Sequence, residues 1–205
     1  MLSNLARSER FIHADSRIPD LVRIAVVHYQ FEAIHPFLDG NGRVGRLMIT
    51  LQLCQRTPLS KPLIYLSGFF EKHRGEYYDR LLNVSQRGQW LDWFHFFLRA
   101  VATQATDAQR RSDDLLALQQ QLHERVRVRR ASGLLPRIVH GLFSKHWLTV
   151  NEVAQRCGVT PAAANGLVKK LETLGVLKEM TGQTYGRIWF ALEILDVIGR
   201  DYDAQ

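Results

Sequence analysis

Within the run His35-Pro36-Phe37-Leu38-Asp39-Gly40-Asn41-Gly42-Arg43-Val44-Gly45-Arg46 stand an imidazole, a carboxylate, two guanidiniums and a glycine-flanked turn. His35 is the group in the run whose ordinary titration lies near neutral pH, so it can accept a proton there. Gly40 and Gly42 lack side chains, so the backbone can take φ > 0 and aim successive N–H groups at one concavity that favours an anion. An apolar-periodic segment opens at Gly42, which brings a helix N-terminus with its unpaired N–H groups and partial positive charge to the same place. Arg43 and Arg46 fall on one side of its first turn and present planar donor forks. Asp39 is a hard oxygen donor suited to Mg²⁺, and equally an ordinary turn residue. Attack of a hydroxyl on phosphorus needs a base, charge neutralisation and in-line positioning, so the run suits a nucleoside triphosphate. Phe37 reads as an apolar anchor for the loop.

The elements that must position these groups follow from periodicity. After Pro19, Leu21, Ile24, His28 and Phe31 recur at helical spacing, which predicts a helix ending at His35 and makes His28 a core residue. Val44, Leu47, Met48, Leu51 and Cys54 form a second stripe that ends before Pro58. Phe69, Phe70, His73, Tyr77 and Leu81 predict one further helix, and Trp90 to Phe97 another. From about Ala100 to Ala131 neither Gly nor Pro occurs, and Leu115, Leu118, Leu122 and Val126 lie near heptad spacing. That long helix packs on the bundle or on a second copy, as in a homodimer.

Ser132-Gly133 marks the boundary between a first domain, 1–133, and a second, 134–205. In the second, a helix from about Leu134 to Ser144 precedes Thr149-Val150-Asn151-Glu152, a capping box. Gly158 closes that helix, and Thr160-Pro161 starts the next, which stops at Gly175. Two β-rich runs follow, Val176 to Met180 and Tyr185 to Ala191, joined by Thr181-Gly182-Gln183. This order resembles a winged helix.

The His35–Arg46 run matches HxFx(D/E)GNGRxxR at every specified position, so the chain resembles the Fic family of protein adenylyltransferases. The resemblance implies a mainly α fold, a Fic-type helical bundle followed by a small α+β winged-helix domain. It implies transfer of AMP from ATP to a Ser, Thr or Tyr hydroxyl of a target protein, with His35 as base, Mg²⁺ on Asp39, and Gly40, Asn41 and Gly42 as phosphate nest. Arg43 and Arg46 then take the outer phosphates, and some relatives run the reaction in reverse. A relative that transfers a terminal phosphate carries Lys within the GNGR segment, whereas this chain keeps Gly42, which favours adenylyl transfer. Glu76-Tyr77-Tyr78-Asp79 resembles the adenosine-side segment; Tyr77 and Tyr78 either border the nucleotide or close the bundle. Ser85 stands where the family often has Asn.

Family members usually carry helices and a β-hairpin flap ahead of this segment. Many also have an inhibitory (S/T)xxxE(G/N) helix, and the nearest string here, Ser67 to Lys72, ends in Lys72. The expectation is therefore either a truncated Fic protein with little independent activity or a short form free of self-inhibition.

Net charge is +7 with pI near 9.7, which points to an acidic partner and leaves the fold undetermined. Lys+Arg against Asp+Glu is 19 to 13 over 1–133 and 8 to 7 over 134–205. A DNA-binding transcriptional regulator, reading DNA through Asn165, Lys169 and Lys170, is the alternative function. The small excess after residue 133 opposes strong DNA binding and leaves a protein partner equally open. Arg110, Arg111, Arg125, Arg127, Arg129 and Arg130 line the long helix as a solvated face or a contact surface. Cys54 and Cys157 are too few and too isolated for a disulfide framework or zinc site. With no apolar leader and no bilayer-length apolar stretch, a cytoplasmic protein without membrane contact is expected.

Overall fold

The computed structural model describes residues 2–14, 17–57, 61–127, 133–183, 185–200 and 202. The helices are α1 (Leu2–His13), α2 (Asp20–Ile34), α3 (Asn41–Arg56), α4 (Leu66–Lys72), α5 (Arg74–Arg87), α6 (Trp90–Arg127), α7 (Leu134–Leu142), α8 (Val150–Cys157), α9 (Pro161–Thr173) and α10 (Leu192–Gly199). Strands β1 (Trp147–Leu148), β2 (Lys178–Glu179) and β3 (Trp189–Phe190) form an antiparallel sheet in the order β1-β3-β2. The fold is mainly α with a small α+β part. Among the described residues no helix is long and apolar enough to cross a membrane, and Cys54 and Cys157 are free thiols.

Residues 1–108 form one compact unit. Its core gathers Ile24 and Ala25 of α2, Ile49 and Leu53 of α3, Phe69 and Phe70 of α4, and Trp93, Phe96 and Phe97 of α6. Each is an apolar face closed against neighbours, which is what holds α2 and α3 in place. Trp93 also donates its indole N–H to Ala25 O at 3.1 Å, so the largest buried ring is oriented as well as packed. His28 is 1% exposed, as its apolar stripe predicts.

Three elements of this unit differ from the sequence reading. α1 was not anticipated; its last carbonyls are satisfied from afar, by Arg23 Nη1 to Phe11 O (3.3 Å) and Ala14 O (2.5 Å) and by Arg56 Nη2 to Ile12 O. The single helix expected over Phe69–Leu81 is two, α4 and α5, interrupted at His73. The aromatic segment from Trp90 and the long helix after Ala100 are instead one helix, α6, since nothing between them breaks it. Pro58 and residues 128–132, including Ser132, lie outside the described residues.

Residues 109–205 form the second unit, so the two divide within α6 at 108/109, where the sequence reading placed 133/134. Leu118, Leu122 and Val126 bury with Leu135, Leu142, Leu171 and Ile194, which assigns the C-terminal half of α6 to the second core. The absence of Gly and Pro reports helix continuity and is silent on which core a turn serves. Moving the boundary moves charge: 109–205 carries 14 Lys+Arg against 10 Asp+Glu, a net +4.

Local signals within this unit hold. Glu152 N donates to Thr149 Oγ1 (3.3 Å) while Thr149 N donates to Glu152 Oε2 (3.0 Å), completing the capping box. Thr160 Oγ1 accepts from Ala163 N at 3.3 Å, with Pro161 opening α9. The two β-rich runs are cut to two residues each in β2 and β3. Glu179 accounts for the first: its carboxylate accepts from the amides of Thr181 (2.7 Å) and Gly182 (3.1 Å), which turns the chain directly after β2.

Candidate active site

α2 ends on His35, which has φ 49° and ψ 59°, the only positive-φ non-glycine among the described residues. That left-handed turn costs about 1–2 kcal/mol for an L-residue. Its N–H still donates to Phe31 O at 3.1 Å, and its side chain is left exposed. The turn thus leaves the imidazole reachable from solvent at the end of α2.

The loop beyond His35 is braced by Asn41, which is 2% exposed. Asn41 Oδ1 accepts from Phe37 N at 2.9 Å and Asn41 Nδ2 donates to Phe37 O at 2.6 Å. Both ends of the amide are thereby used on the loop's own backbone. The Asn41 side chain is thus a strut of the loop, and its backbone N–H is the group left for the phosphate nest expected of Gly40, Asn41 and Gly42. Phe37 is half exposed, and its ring lies 6.3 Å from that of buried Phe31, so ring and backbone both tie the loop to α2.

Gly40 (φ 84°) is the residue that needs left-handed freedom. Gly42 lies in the first turn of α3 and does not; its value is space. A Cβ on Gly42 would stand 3.0 Å from Arg46 Nη1, and one on Gly40 would stand 3.4 Å from Arg43 Nη2. Each guanidinium therefore folds back over a glycine. The first ladder bond of α3 is Val44 N to Gly40 O (3.0 Å), so the amides of Asn41, Gly42 and Arg43 precede it and have no intrahelical acceptor. Three amides, a helix N-terminus and two guanidiniums converge on one place, which is the chemistry of a polyphosphate cradle.

Asp39 is at the mouth of this cradle, with its side chain 93% exposed and its Oδ2 paired with Arg43 Nη2 at 3.2 Å. An ion pair this exposed contributes at most about 1 kcal/mol, so Asp39 can exchange Arg43 for a cation at little cost. Among the described residues no group of three or more His, Cys, Asp or Glu could hold a metal by itself. A single hard carboxylate completed by phosphate oxygens and water is the donor set that Mg²⁺ accepts.

Residues 2–53 match the model of the Fic/DOC family, a segment that contains α1, α2, the loop and most of α3. Over that segment the chain is similar to the Fic/DOC family. Over 93% of its length it is also similar to the crystal structure of a Fic family protein from Desulfovibrio desulfuricans G20, with TM-score 0.52 and 20% identity. That likeness shows the fold. The chain spans 54% of that protein, about half its length.

Outside the matched segment, the tyrosine pair separates. Tyr77 is 4% exposed and packed on Phe70 at 4.8 Å between ring centroids, with its hydroxyl 2.9 Å from His28 Nε2. It is a core residue, not a nucleotide contact. Burial first, then the Glu32 carboxylate, raises its phenol far above the ordinary range. Tyr78 is 55% exposed, edge-on to Tyr77 at 5.2 Å and beneath Arg74 at 5.8 Å, and so offers a ring to solvent. Ser85 Oγ is engaged with Tyr29 Oη at 2.9 Å, which ties it to α2. Glu71, in the string nearest the inhibitory pattern, pairs with Arg74 at 3.8 Å.

Two residues beside the candidate site had no role in the sequence reading. Glu32 precedes His35 on α2 and has a buried Oε1 without a hydrogen-bond partner. Burial holds its carboxyl above the usual range against the opposing charges of Arg46 and His35, which places it electrostatically beside the site. Gly45 is where α2 and α3 approach: a Cβ there would lie 2.4 Å from Glu32 Oε1 and 3.2 Å from His28 Cε1 and Phe31 Cδ1. The signal available was the small residue facing Phe31 within an apolar stripe. In the second unit, Asn165 and Lys169 line an open concavity, while Lys170 is exposed outside its lining.

Proposed function

We propose that this chain is an adenylyltransferase that moves AMP from ATP to a hydroxyl of a target protein. The observation that supports it best is the cradle itself: α3 amides and the guanidiniums of Arg43 and Arg46, each folded over a glycine, beside an exposed His35 at the end of α2. The phosphates sit against the amides of Asn41, Gly42 and Arg43. Arg43 and Arg46 take up negative charge that grows on the leaving phosphates. His35 removes the proton from the incoming hydroxyl as its oxygen bonds to the α-phosphorus, and pyrophosphate departs with the electrons of the broken P–O bond. When bound, Mg²⁺ on Asp39 neutralises phosphate charge. Tyr78 supplies an exposed ring for the adenine.

The test compares ATP labelled at the α- or the γ-phosphate, with a proteome extract as acceptor. Protein-bound label is expected from the α position only, and none with His35→Ala. Label from the γ position would make the chain a kinase and sink this reading. Equal labelling by the wild type and His35→Ala would remove His35 from the chemistry.

A further inference from the structure

The second unit has a polar concavity of about 370 Å³ that the transfer chemistry leaves unused. Its wall includes Asn151 at the start of α8, Asn165 and Lys169 four apart on α9, Tyr185 and Arg187 from the loop before β3, and Trp189 of β3. Two cations line it and no carboxylate does. Glu179 lies within electrostatic reach of Arg187 but is occupied by Thr181 and Gly182.

Trp189 adds an independent observation. The residue is only 4% exposed, yet its indole N–H is buried without a hydrogen-bond partner. A buried donor left unpaired costs about 1–3 kcal/mol, which marks this wall of the concavity as polar and unsatisfied. Asn151, Asn165, Lys169 and Arg187 are likewise donors to an oxygen-rich ligand. Tyr185 is 87% exposed and presents a ring and hydroxyl at the rim.

We propose that this concavity grips the phosphodiester backbone of duplex DNA. The donors come from two sides, a helix face and a separate loop, which suits a strand running between them better than a compact anion held at one point. The unit's net +4, with the C-terminal half of α6 included, supplies a favourable field that a boundary at residue 133 conceals. The proposal stands apart from the adenylyl-transfer reading, and neither depends on the other.

The whole chain is titrated against a fluorescein-labelled duplex across a salt series, with anisotropy as readout. Lys169→Ala with Arg187→Ala should reduce the slope of log affinity against log salt by about 2, since each lost phosphate contact removes roughly 0.9. Lys178→Ala, on β2 outside the lining, should leave the slope unchanged. In parallel, the indole N–H signals of the ¹⁵N-labelled protein, which has four tryptophans, are followed, Trp189 being identified with Trp189→Phe. The Trp189 signal should move with duplex and stay put with inorganic phosphate at equal ionic strength. An unchanged slope in the double variant, or no binding at low salt, overturns the proposal. So does a Trp189 signal that answers to inorganic phosphate alone, which reassigns the concavity to a free anion. If Trp189→Phe fails to fold, the salt slopes decide.

Discussion

His28 should make the first unit sensitive to mild acid. It is 1% exposed, stacked near Phe70 and Trp93, and burial pushes its pKa from 6.5 down to about 3. The folded chain therefore refuses a proton that the unfolded chain accepts below about pH 6.5. A depressed folded pKa means that this stability is complete above the unfolded value and is lost as pH falls, until about pH 3. At about 1.4 kcal/mol per pH unit, the loss from pH 6.5 to 5 is about 2 kcal/mol. Glu32, raised by burial, acts oppositely and gains with acid, while Glu76 and Glu152 are lowered and contribute losses only in more acid solution. The comparison is with His28→Gln, which keeps a polar partner for Tyr77 and does not titrate. Hydrogen exchange in α2 under urea, at about pH 7.5, 6 and 5, reads the first unit separately from the second. Wild type should lose about 2 kcal/mol more than the variant over that range. Parallel pH curves, or an NMR titration of the His28 ring near its ordinary value, would refute the reasoning.

Three further outcomes follow from the geometry. Gly45→Ala puts a methyl 2.4 Å from Glu32 Oε1 and 3.2 Å from two buried rings; overpacking of about 1–3 kcal/mol outweighs a helix-propensity gain of about 1, so chemical denaturation should show a net loss. Asn41→Ala removes both bonds to the Phe37 backbone, so exchange of the Phe37 amide should accelerate and AMP transfer should fall, with the circular dichroism of the helices unchanged. Leu122→Ala, at a site 1% exposed, should cost the second unit about 2–5 kcal/mol while exchange in α2 and α3 stays at wild-type rates; slowed or quickened exchange there would contradict the division within α6.

Much of the site was legible because its residues are adjacent in the chain. Spacing within one loop and one helical turn is a local property, so His35, Asp39, the glycines and both arginines could be placed before any packing was known. Capping at Thr149 and Thr160 was readable for the same reason. Tyr77 and Tyr78 were not separable, since neighbours on a helix differ only in which face meets the core, and that is decided by Phe70, Trp93 and His28. Glu32 and Gly45 were missed because each matters through the other's helix. The end of α1 depends on Arg23 and Arg56, which are distant in sequence, so no local stop signal revealed it.

The order of residues by itself settled the spacing of the run, its glycine turn, the helices that flank it and the mainly helical class. Tertiary structure decided which groups remain available: Asn41 became a strut, Tyr77 a core ring, Gly42 a seat for Arg46, and half of α6 a part of the second core. Periodicity and spacing report where the backbone can curl and which side chains share a face. Availability is a question of what each polar atom and apolar face already touches, and those contacts exist only once distant segments have packed.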